Sequence, residues 1–382
     1  MFNIDTLIKE NIADFNHEGM MRYSEFVPRL YNMCLSLDFT PGKIMPSRAF
    51  CSDENQGYPV IMLAKHFGTF PFNHGIAGGI VATDRHAPHA HHGKDLIIIH
   101  ASHVGYEPNS QTFGTYSRRQ TENNVPTPTC GKLYAMIDWY QEEYRFAANN
   151  IRLRRSGDEH HIVIDNQLLN KNRPEGLFLR LENFVAKHVD GSLQVVRAHS
   201  TSKSYRLTRS AIELLGDESF SGGRDRRIGR QLSADWFYYK REPADPNRDR
   251  QPLERSLVPI MPHIVTSPAP LLAVAQNTTQ VEFDRAFRTI AKAHAYEHQN
   301  VLLISGLNID LSPAPDQIFP LTKFVPWAAF YKDAHGNTRT WEQDELVETL
   351  AAQPVDNPHQ IDLEAAIALM REAKEVKINW PF

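Results

Sequence analysis

Cysteine is scarce in this sequence, since 382 residues contain only Cys34, Cys51 and Cys130. An odd and sparse set does not form the disulfide framework of a small secreted domain, which favours a reducing compartment. Long hydrophobic runs are also lacking, because no window approaches 18 uninterrupted apolar residues. The opening segment, MFNIDTLIKENIADF, lacks the basic-then-apolar pattern of a secretory signal. These absences predict a cytoplasmic protein with no membrane partner.

An excess of one charge sign is missing as well. The chain has 41 basic and 45 acidic residues and a formal net charge of -4, so it should not be attracted to nucleic acid as a whole. Residues 224–255 hold eight arginines and one lysine beside the aromatic run 236–239, a combination that can grip single strands. Six acids in the same stretch leave a small surplus, and we expect no nucleic-acid partner.

The chain alternates between strand and helix patterns. Residues 20–35 have helical spacing, a short strand ends near Cys51, Leu96 to Ile99 is a continuous apolar run, and residues 301–311 form a further buried strand. Continuous rather than alternating hydrophobicity is typical of a sheet covered on both faces. The expected fold class is therefore α/β, with a mainly parallel sheet flanked by helices.

Other segments carry local signals. Residues 177–197 predict a β-hairpin with its turn at Asp190-Gly191. Thr279 and Glu282 have the spacing of a capping box, which predicts a helix start. Helices are also expected near 342–352 and 362–374, the second capped by Asp362.

Two cysteines and one histidine lie at the boundaries of the predicted strands and helices. Cys51 follows one strand, His103 follows the apolar run, and Cys130 precedes a helix. Because ligands gather beyond the carboxyl ends of parallel strands, these residues are candidates for one site. Two thiolates and one imidazole form a known catalytic zinc set, which leaves the fourth position for water.

Simpler explanations stand beside this one. A buried cysteine is often only a small core residue, as expected for Cys34 on its helical stripe. The chain has neither CxxC nor HExxH to sharpen the metal assignment. His100 is a core histidine or a residue that supports the site, and the cluster His86, His89, His91 and His92 is a solvated loop or a proton relay.

A carboxylate close to Cys51 adds to the candidate site. Asp53 follows Cys51 by two residues and could orient a metal-bound water or occupy the open position itself. Arg118 and Arg119 could hold that carboxylate or an anionic product through bidentate hydrogen bonds. Solvation at the surface is the alternative for all three residues.

Several short motifs occur in an order that resembles a known family, the limiting-carbon-dioxide-inducible protein B/C family, a theta-class branch of β-type carbonic anhydrases. They are CSDE at 51–54, FPFNHGIAGG at 70–79, SHVGY at 102–106, GTYSRRQ at 114–120, TCGKL at 129–133 and SGLNIDL at 305–311 with its following FVP. The resemblance covers about residues 41–137 and 300–327.

The resemblance implies a β-carbonic anhydrase-like fold and a zinc ion held by Cys51, His103 and Cys130. It also implies one domain over 1–382, with a large insertion at 145–265 that carries the hairpin, and pairing into a homodimer or higher homo-oligomer. Ordinary β-carbonic anhydrases have an arginine two residues beyond the aspartate, whereas this chain has Asn55. We therefore expect Arg118 to be the partner of Asp53, with Arg48 as the competitor.

The expected function is zinc-dependent, reversible hydration of carbon dioxide to bicarbonate, with Asp53 and Arg118 as catalytic residues. Two alternatives stay open. One is a catalytically silent binding or scaffold protein of the same fold, which Asn55 and the inserted region favour. The other is a zinc hydrolase that uses the same water against an ester or amide.

Overall fold

The computed structural model describes residues 15–76, 79–81, 95–118, 125–220, 225–241, 251–314, 317 and 320–374. The chain divides into two compact units. We call residues 15–130 and 279–382 the sheet unit, and residues 131–278 the middle unit. The prediction that 145–265 is an insertion into a single domain stays a prediction. No helix among the described residues is long and apolar enough to cross a membrane.

Strands occur in both units. They are β1 Met21–Arg22, β2 Ile44–Ala49, β3 Phe72–Asn73, β4 Gly75–Ile76, β5 Ile80–Val81, β6 Asp95–Glu107, β7 Thr112–Phe113, β8 Thr115–Tyr116, β9 Thr127–Pro128, β10 Ile151–Ser156, β11 Glu159–Asp165, β12 Gly176–Leu179, β13 Val195–Ala198, β14 Ser202–Arg206, β15 Arg226–Arg227, β16 Phe237–Lys240, β17 Val301–Leu311, β18 Leu321–Lys332 and β19 Thr338–Trp341.

The α-helices are distributed in the same way. They are α1 Tyr23–Ser36, α2 Gly57–Phe67, α3 Gly131–Asn150, α4 Asn166–Leu169, α5 Arg209–Leu215, α6 Gln251–Leu257, α7 Met261–Thr266, α8 Pro270–Lys292, α9 Gln343–Ala351 and α10 Leu363–Glu372.

The main sheet of the sheet unit has the order β1-β18-β17-β6-β2-β3, with β19 on β18 and β7 on β6. The central strands β17, β6, β2 and β3 run parallel to their neighbours in that group. Strands β1, β18, β19 and β7 pair antiparallel at the margins. The predicted α/β class with a mainly parallel central sheet flanked by helices is confirmed.

Helices cover both faces of this sheet. On one face, Ile97 and Ile99 of β6 pack in a core with Phe26 of α1 and Leu63 of α2. On the other face, Leu96 and Ile98 of β6 pack with Phe283, Ala286 and Ile290 of α8. Burial on both sides explains why the sequence of β6 is apolar without a break rather than alternating.

Strand β6 is longer than its apolar run predicts, because it continues through His100 and His103 to Glu107. His100, Ser102 and His103 are at most 1% exposed. Polar groups at such depth need hydrogen-bond partners, and the parallel strand β17 runs beside β6 as far as Tyr106. The strand therefore carries polar chemistry within the core instead of ending where hydrophobicity ends.

The middle unit contains a separate antiparallel sheet of order β13-β14-β11-β10-β15 and a two-stranded ribbon of β12 and β16. The predicted hairpin over 177–197 is correct only at its turn. Lys187 and Leu193 bridge across Asp190-Gly191, and Gly191 has a φ of 82°. Strand β12 pairs instead with β16, about 60 residues further along the chain.

Two helix-start predictions had opposite outcomes. Asp362 caps α10, since its Oδ1 accepts hydrogen bonds from the backbone N–H groups of Glu364 and Ala365. The capping box at Thr279 and Glu282 is wrong, because α8 already begins at Pro270. Glu282 instead accepts a hydrogen bond of 3.0 Å from the backbone N–H of Val81. Its side chain therefore ties two elements together rather than starting a helix.

Candidate metal centre

The sheet unit contains a compact group of three buried side chains, Cys51, His103 and Cys130. One ligand atom from each residue lies within 4.8 Å of the other two. Sulfur and nitrogen atoms bound to one tetrahedral zinc are about 3.5 to 3.8 Å apart, as follows from bond lengths near 2.3 and 2.0 Å. Residues that are 27 to 79 positions apart in sequence thus converge on a space of the right size for a metal ion.

The sheet brings two of the three residues together. Cys51 lies just beyond Ala49, the last residue of β2. The last pair between β2 and β6 joins Ala49 to His100, so His103 lies three residues beyond it on the longer strand. Because β2 ends earlier than β6, the ligand atoms of Cys51 and His103 can share the space beyond its carboxyl end.

The third residue arrives on a small ribbon made of β8 and β9, which pair antiparallel. Cys130 follows β9 with a φ of 55°, in the left-handed region. This conformation costs a residue other than glycine about 1 to 2 kcal/mol and persists where the surroundings fix it. One such restraint is the hydrogen bond of 3.3 Å that the Cys130 N–H donates to Asp53 Oδ2.

Gly105 lets the ribbon lie close to strand β6. A Cβ at this position would collide with Thr129 Oγ1 and with the carbonyl oxygen of Thr115. Hydrogen bonds link the same elements, from the Gly114 N–H to the Gly105 carbonyl (2.8 Å) and from the Thr129 N–H to the Gly114 carbonyl (2.9 Å). Glycine at 105 is thus required by close backbone approach, and that approach carries Cys130 to the site.

The two ring nitrogens of His103 have different surroundings. Nδ1 lies 2.8 Å from Oδ2 of Asp310, and both side chains are fully buried. Among the described residues, Nε2 has no hydrogen-bond partner although it is buried. A buried nitrogen without a partner is costly unless it binds something else, which fits a metal ion held together with the two sulfurs.

Asp310 is the residue that sequence reasoning missed. It lies on β17 and accepts hydrogen bonds of 3.0 Å from Gln56 Nε2 and Thr322 Oγ1 in addition to its contact with His103. The sequence contained a signal, since an acid inside the buried run VLLISGLNIDL needs a partner. Its partner, however, is 207 positions away.

Electrostatics differ within the group. The neighbouring Cys51 thiol and burial both raise the pKa of Cys130. Burial lowers the pKa of His103. The neighbouring Cys130 and Asp310 raise it by more, so that the pKa lies well above its ordinary value. Burial raises the pKa of Asp310, and the hydrogen bonds it accepts oppose this. A metal ion bound here would have to displace the proton of the Cys130 thiol, because thiols bind metals as thiolates.

Asp53 lies at the rim of the group and contacts an arginine. Arg118 Nη2 is 3.4 Å from Asp53 Oδ1, and Arg118 Nε also donates to Glu54 Oε1. Tyr116 donates a hydrogen bond of 3.0 Å to the same Glu54 oxygen, and its ring lies under the Arg118 guanidinium. Burial, and to a smaller extent a hydrogen bond with Glu54, raises the pKa of Asp53 to about 6.

Several other candidates lie elsewhere or outside the described residues. Cys34 lies on α1 in the apolar core, where burial raises its pKa. His100 hydrogen-bonds to Ser305. His86, His89, His91, His92 and Arg119 lie outside the described residues. In the middle unit, Trp236, Phe237 and Tyr239 are at most 4% exposed, so these three rings are not available to stack on bases.

The geometry defines the class of site, a buried Cys-His-Cys group in an α/β protein that could hold a metal ion. No family model matches the sequence, and no curated protein matches it.

Solved structures offer a distant similarity. One is PtLCIB4, a homolog of the limiting CO2-inducible protein LCIB, with 12% identity, coverage of 88% of this chain and 98% of that chain, and a TM-score of 0.48. Another is LCIB, with 13% identity, coverage of 90% and 100%, and a TM-score of 0.45. Both bear the name of the family whose motifs the sequence resembles.

Proposed function

We propose that this protein is a zinc-dependent enzyme that hydrates carbon dioxide reversibly to bicarbonate. The observation that carries the proposal is the number of ligands. Among the described residues, the group offers three candidate protein ligands, Cys51, His103 and Cys130, and not four. Structural zinc sites are closed by four protein ligands, whereas catalytic sites keep one position for water.

The donor set favours zinc. Thiolate and imidazole ligands suit zinc, while the hard cations magnesium and calcium prefer oxygen. When bound, zinc would supply a water with a pKa near 7, a value taken from carbonic anhydrase itself.

The surrounding residues have separate tasks in this proposal. Asp53 accepts a hydrogen bond from the nucleophilic water and thereby orients it toward carbon dioxide. Arg118 holds the Asp53 carboxylate in place, as the 3.4 Å contact between them supports. Glu54 shares the same guanidinium and stays ionised, since the hydrogen bond with Asp53 and the contact with Arg118 lower its pKa to about 2.

Stopped-flow measurement with a pH indicator tests the proposal. We expect the zinc-loaded protein to hydrate carbon dioxide faster than buffer, and the activity to disappear when Cys51 is replaced by serine. Cys34→Ala is the matched control, because Cys34 is a buried cysteine of the same unit that lies in the apolar core. Zinc-loaded protein that is no faster than buffer would contradict the catalytic proposal.

A catalytically silent binding protein is the second candidate. Asn55 is buried and stands where ordinary β-carbonic anhydrases are expected to have an arginine, and Arg118 divides its guanidinium between Asp53 and Glu54. Such a protein would retain zinc and bind bicarbonate without turnover. Isothermal titration with bicarbonate, combined with the hydration assay, separates the two functions.

The proposal includes two further points, of which the first rests on the scarcity of cysteine and the second on the family resemblance. The protein acts in the cytoplasm, and it assembles as a homodimer or a higher homo-oligomer. Light scattering of the purified protein tests the second point, since a mass near 43.6 kDa would correspond to a monomer. Fractionation of cells with an antibody tests the first.

A further inference from the structure

We propose that Asp310 is a positioning residue that fixes the ring of His103, with its hydrogen on Nδ1 and its Nε2 lone pair directed at the metal. The inference rests on the proposed function, because it concerns the same metal site. It concerns a residue of the SGLNIDL motif to which the sequence analysis assigned no role. It also names a physical task for that residue, which is to select one of the two neutral forms of the imidazole.

The partners of Asp310 determine its role. Oδ1 accepts from Thr322 Oγ1, Oδ2 faces His103 Nδ1, and Gln56 Nε2 lies 3.0 Å from both oxygens. An amide nitrogen can only donate, so the carboxylate acts as the acceptor. His103 must then donate through Nδ1, so in the neutral ring Nε2 carries the lone pair. A nitrogen that carries hydrogen cannot ligate a metal, so this selection decides whether the site works.

Gln56 does not compete for the same ring nitrogen. Its Nε2 lies 3.4 Å from His103 Nδ1, which is longer than the 2.8 Å contact from Asp310. The two hydrogens of this amide have nearer acceptors, namely Asn55 Oδ1 at 3.0 Å and the Asp310 carboxylate. The imidazole therefore receives no donor that would reverse its protonation pattern.

The support for Asp310 extends further into the core. Asn308 Nδ2 donates to Gln56 Oε1 (2.6 Å), and Tyr23 OH donates to Asn308 Oδ1 (2.8 Å). From Tyr23 inward, each group donates toward the carboxylate. A chain of hydrogen bonds with one direction polarises its members and resists reversal.

The chain contains a matched control on the same pair of strands. His100 is also fully buried, its Nδ1 lies 2.6 Å from Ser305 Oγ on β17, and its Nε2 has no hydrogen-bond partner among the described residues. A serine hydroxyl both donates and accepts, so it does not select one form of the ring. Ser305→Ala removes a histidine partner from the same sheet without touching the metal group.

Zinc affinity tests the inference, measured by competition with a chromophoric chelator. Asp310→Asn keeps the shape of the side chain but presents an amide to three donors. We expect zinc binding to weaken about 10- to 100-fold, the range found when such supporting partners of metal ligands are removed. Ser305→Ala should bind zinc as the wild type does. Unchanged affinity in a folded Asp310→Asn protein would overturn the inference.

A second variant covers the case in which Asp310→Asn does not fold. Thr322→Val removes one donor to Asp310 and leaves both His103 and the carboxylate in place. We expect a smaller loss of zinc affinity in the same direction, and an unchanged affinity would again count against the inference.

A spectroscopic readout separates positioning from general stability. Proton–nitrogen correlation spectra of the imidazoles should contain a strongly downfield Nδ1–H proton for His103, which is lost in Asp310→Asn and kept in Ser305→Ala. A wild-type protein that binds no zinc would refute the proposed function, while this proton would still report whether Asp310 holds the ring. A wild type without the downfield proton would refute the positioning role alone.

Discussion

Two histidines, three residues apart on strand β6, have almost the same local setting. His100 and His103 are both at most 1% exposed, each faces a side chain of β17 through Nδ1, and each has an Nε2 with no hydrogen-bond partner among the described residues. The odd spacing directs them to opposite faces of the sheet. They therefore form a natural comparison within one strand.

Their surroundings give them opposite properties. Burial lowers the pKa of His100 to about 3, and its partner is the neutral Ser305. His103 is equally buried, yet Cys130 and Asp310 raise its pKa well above the ordinary value. Burial alone thus does not define a functional histidine. The charge and donor pattern of the neighbours does.

The largest expected effect breaks the comparison directly. His103→Gln should lose the metal after dialysis against a chelator. Free energies of zinc binding of about 10 kcal/mol require a complete set of protein ligands. His100→Gln should retain one zinc per chain under the same conditions. Metal analysis by mass spectrometry measures both. Equal retention in the two variants would show that His103 is not a ligand.

The next effect tests the close packing of the β8–β9 ribbon against strand β6 at Gly105, on the same face as His103. Gly105→Ala forces a Cβ against Thr129 and Thr115, so we expect a loss of stability of about 1 to 3 kcal/mol, typical of overpacking, together with weaker zinc binding. Gly57→Ala is the control, since its φ of -66° suits alanine and no described atom lies within 4 Å of the added Cβ. Chemical denaturation and chelator competition are the measurements, and equal behaviour of the two variants would contradict this explanation.

Much of the fold of the sheet unit was predictable. The helical stripe that became α1, the apolar run inside β6 and the Asp362 cap each express a local preference that the surrounding structure reinforces. The pairing of β12 with β16 was not predictable, because the turn at Asp190-Gly191 is local whereas the partner of Leu177 is distant.

The sequence predicted which three candidate ligands would lie together, but not the residues that contact them. The positions of Cys51, His103 and Cys130 at the ends of predicted strands and the start of a helix led to them, since the carboxyl ends of parallel strands lie at one edge of the sheet. Asp310 and Gln56 were not found, because a hydrogen bond across more than 200 residues leaves no spacing in the sequence. The choice between Arg118 and Arg48 likewise needed coordinates, which put Arg118 beside Asp53.

The pH dependence of stability tests the low pKa of His100, the other histidine of the comparison. Its folded pKa lies below the unfolded value of 6.5, so the unfolded chain binds the proton first and stability falls as pH drops below about 6.5. Between pH 7 and pH 5 we expect the wild type to lose about 2 kcal/mol more than His100→Gln, from roughly 1.4 kcal/mol per pH unit. Urea denaturation at both pH values measures this. An equal loss in the two proteins would contradict the low pKa.

The smallest effect concerns the rim of the site. Arg118→Gln should keep its zinc but hydrate carbon dioxide about tenfold more slowly, equivalent to ~1.4 kcal/mol of transition-state stabilisation, because Asp53 loses the group that holds it. Arg48→Gln is the matched control, since Arg48 is the other arginine that the sequence offered. A similar rate for Arg118→Gln and the wild type would remove Arg118 from the proposed mechanism.

X-ray absorption at the zinc edge of the loaded protein tests the central claim most directly. The account predicts two sulfur ligands at about 2.3 Å, one imidazole nitrogen at about 2.0 Å and one further light atom from water. A first coordination sphere without sulfur, or one closed by four protein ligands, would contradict it.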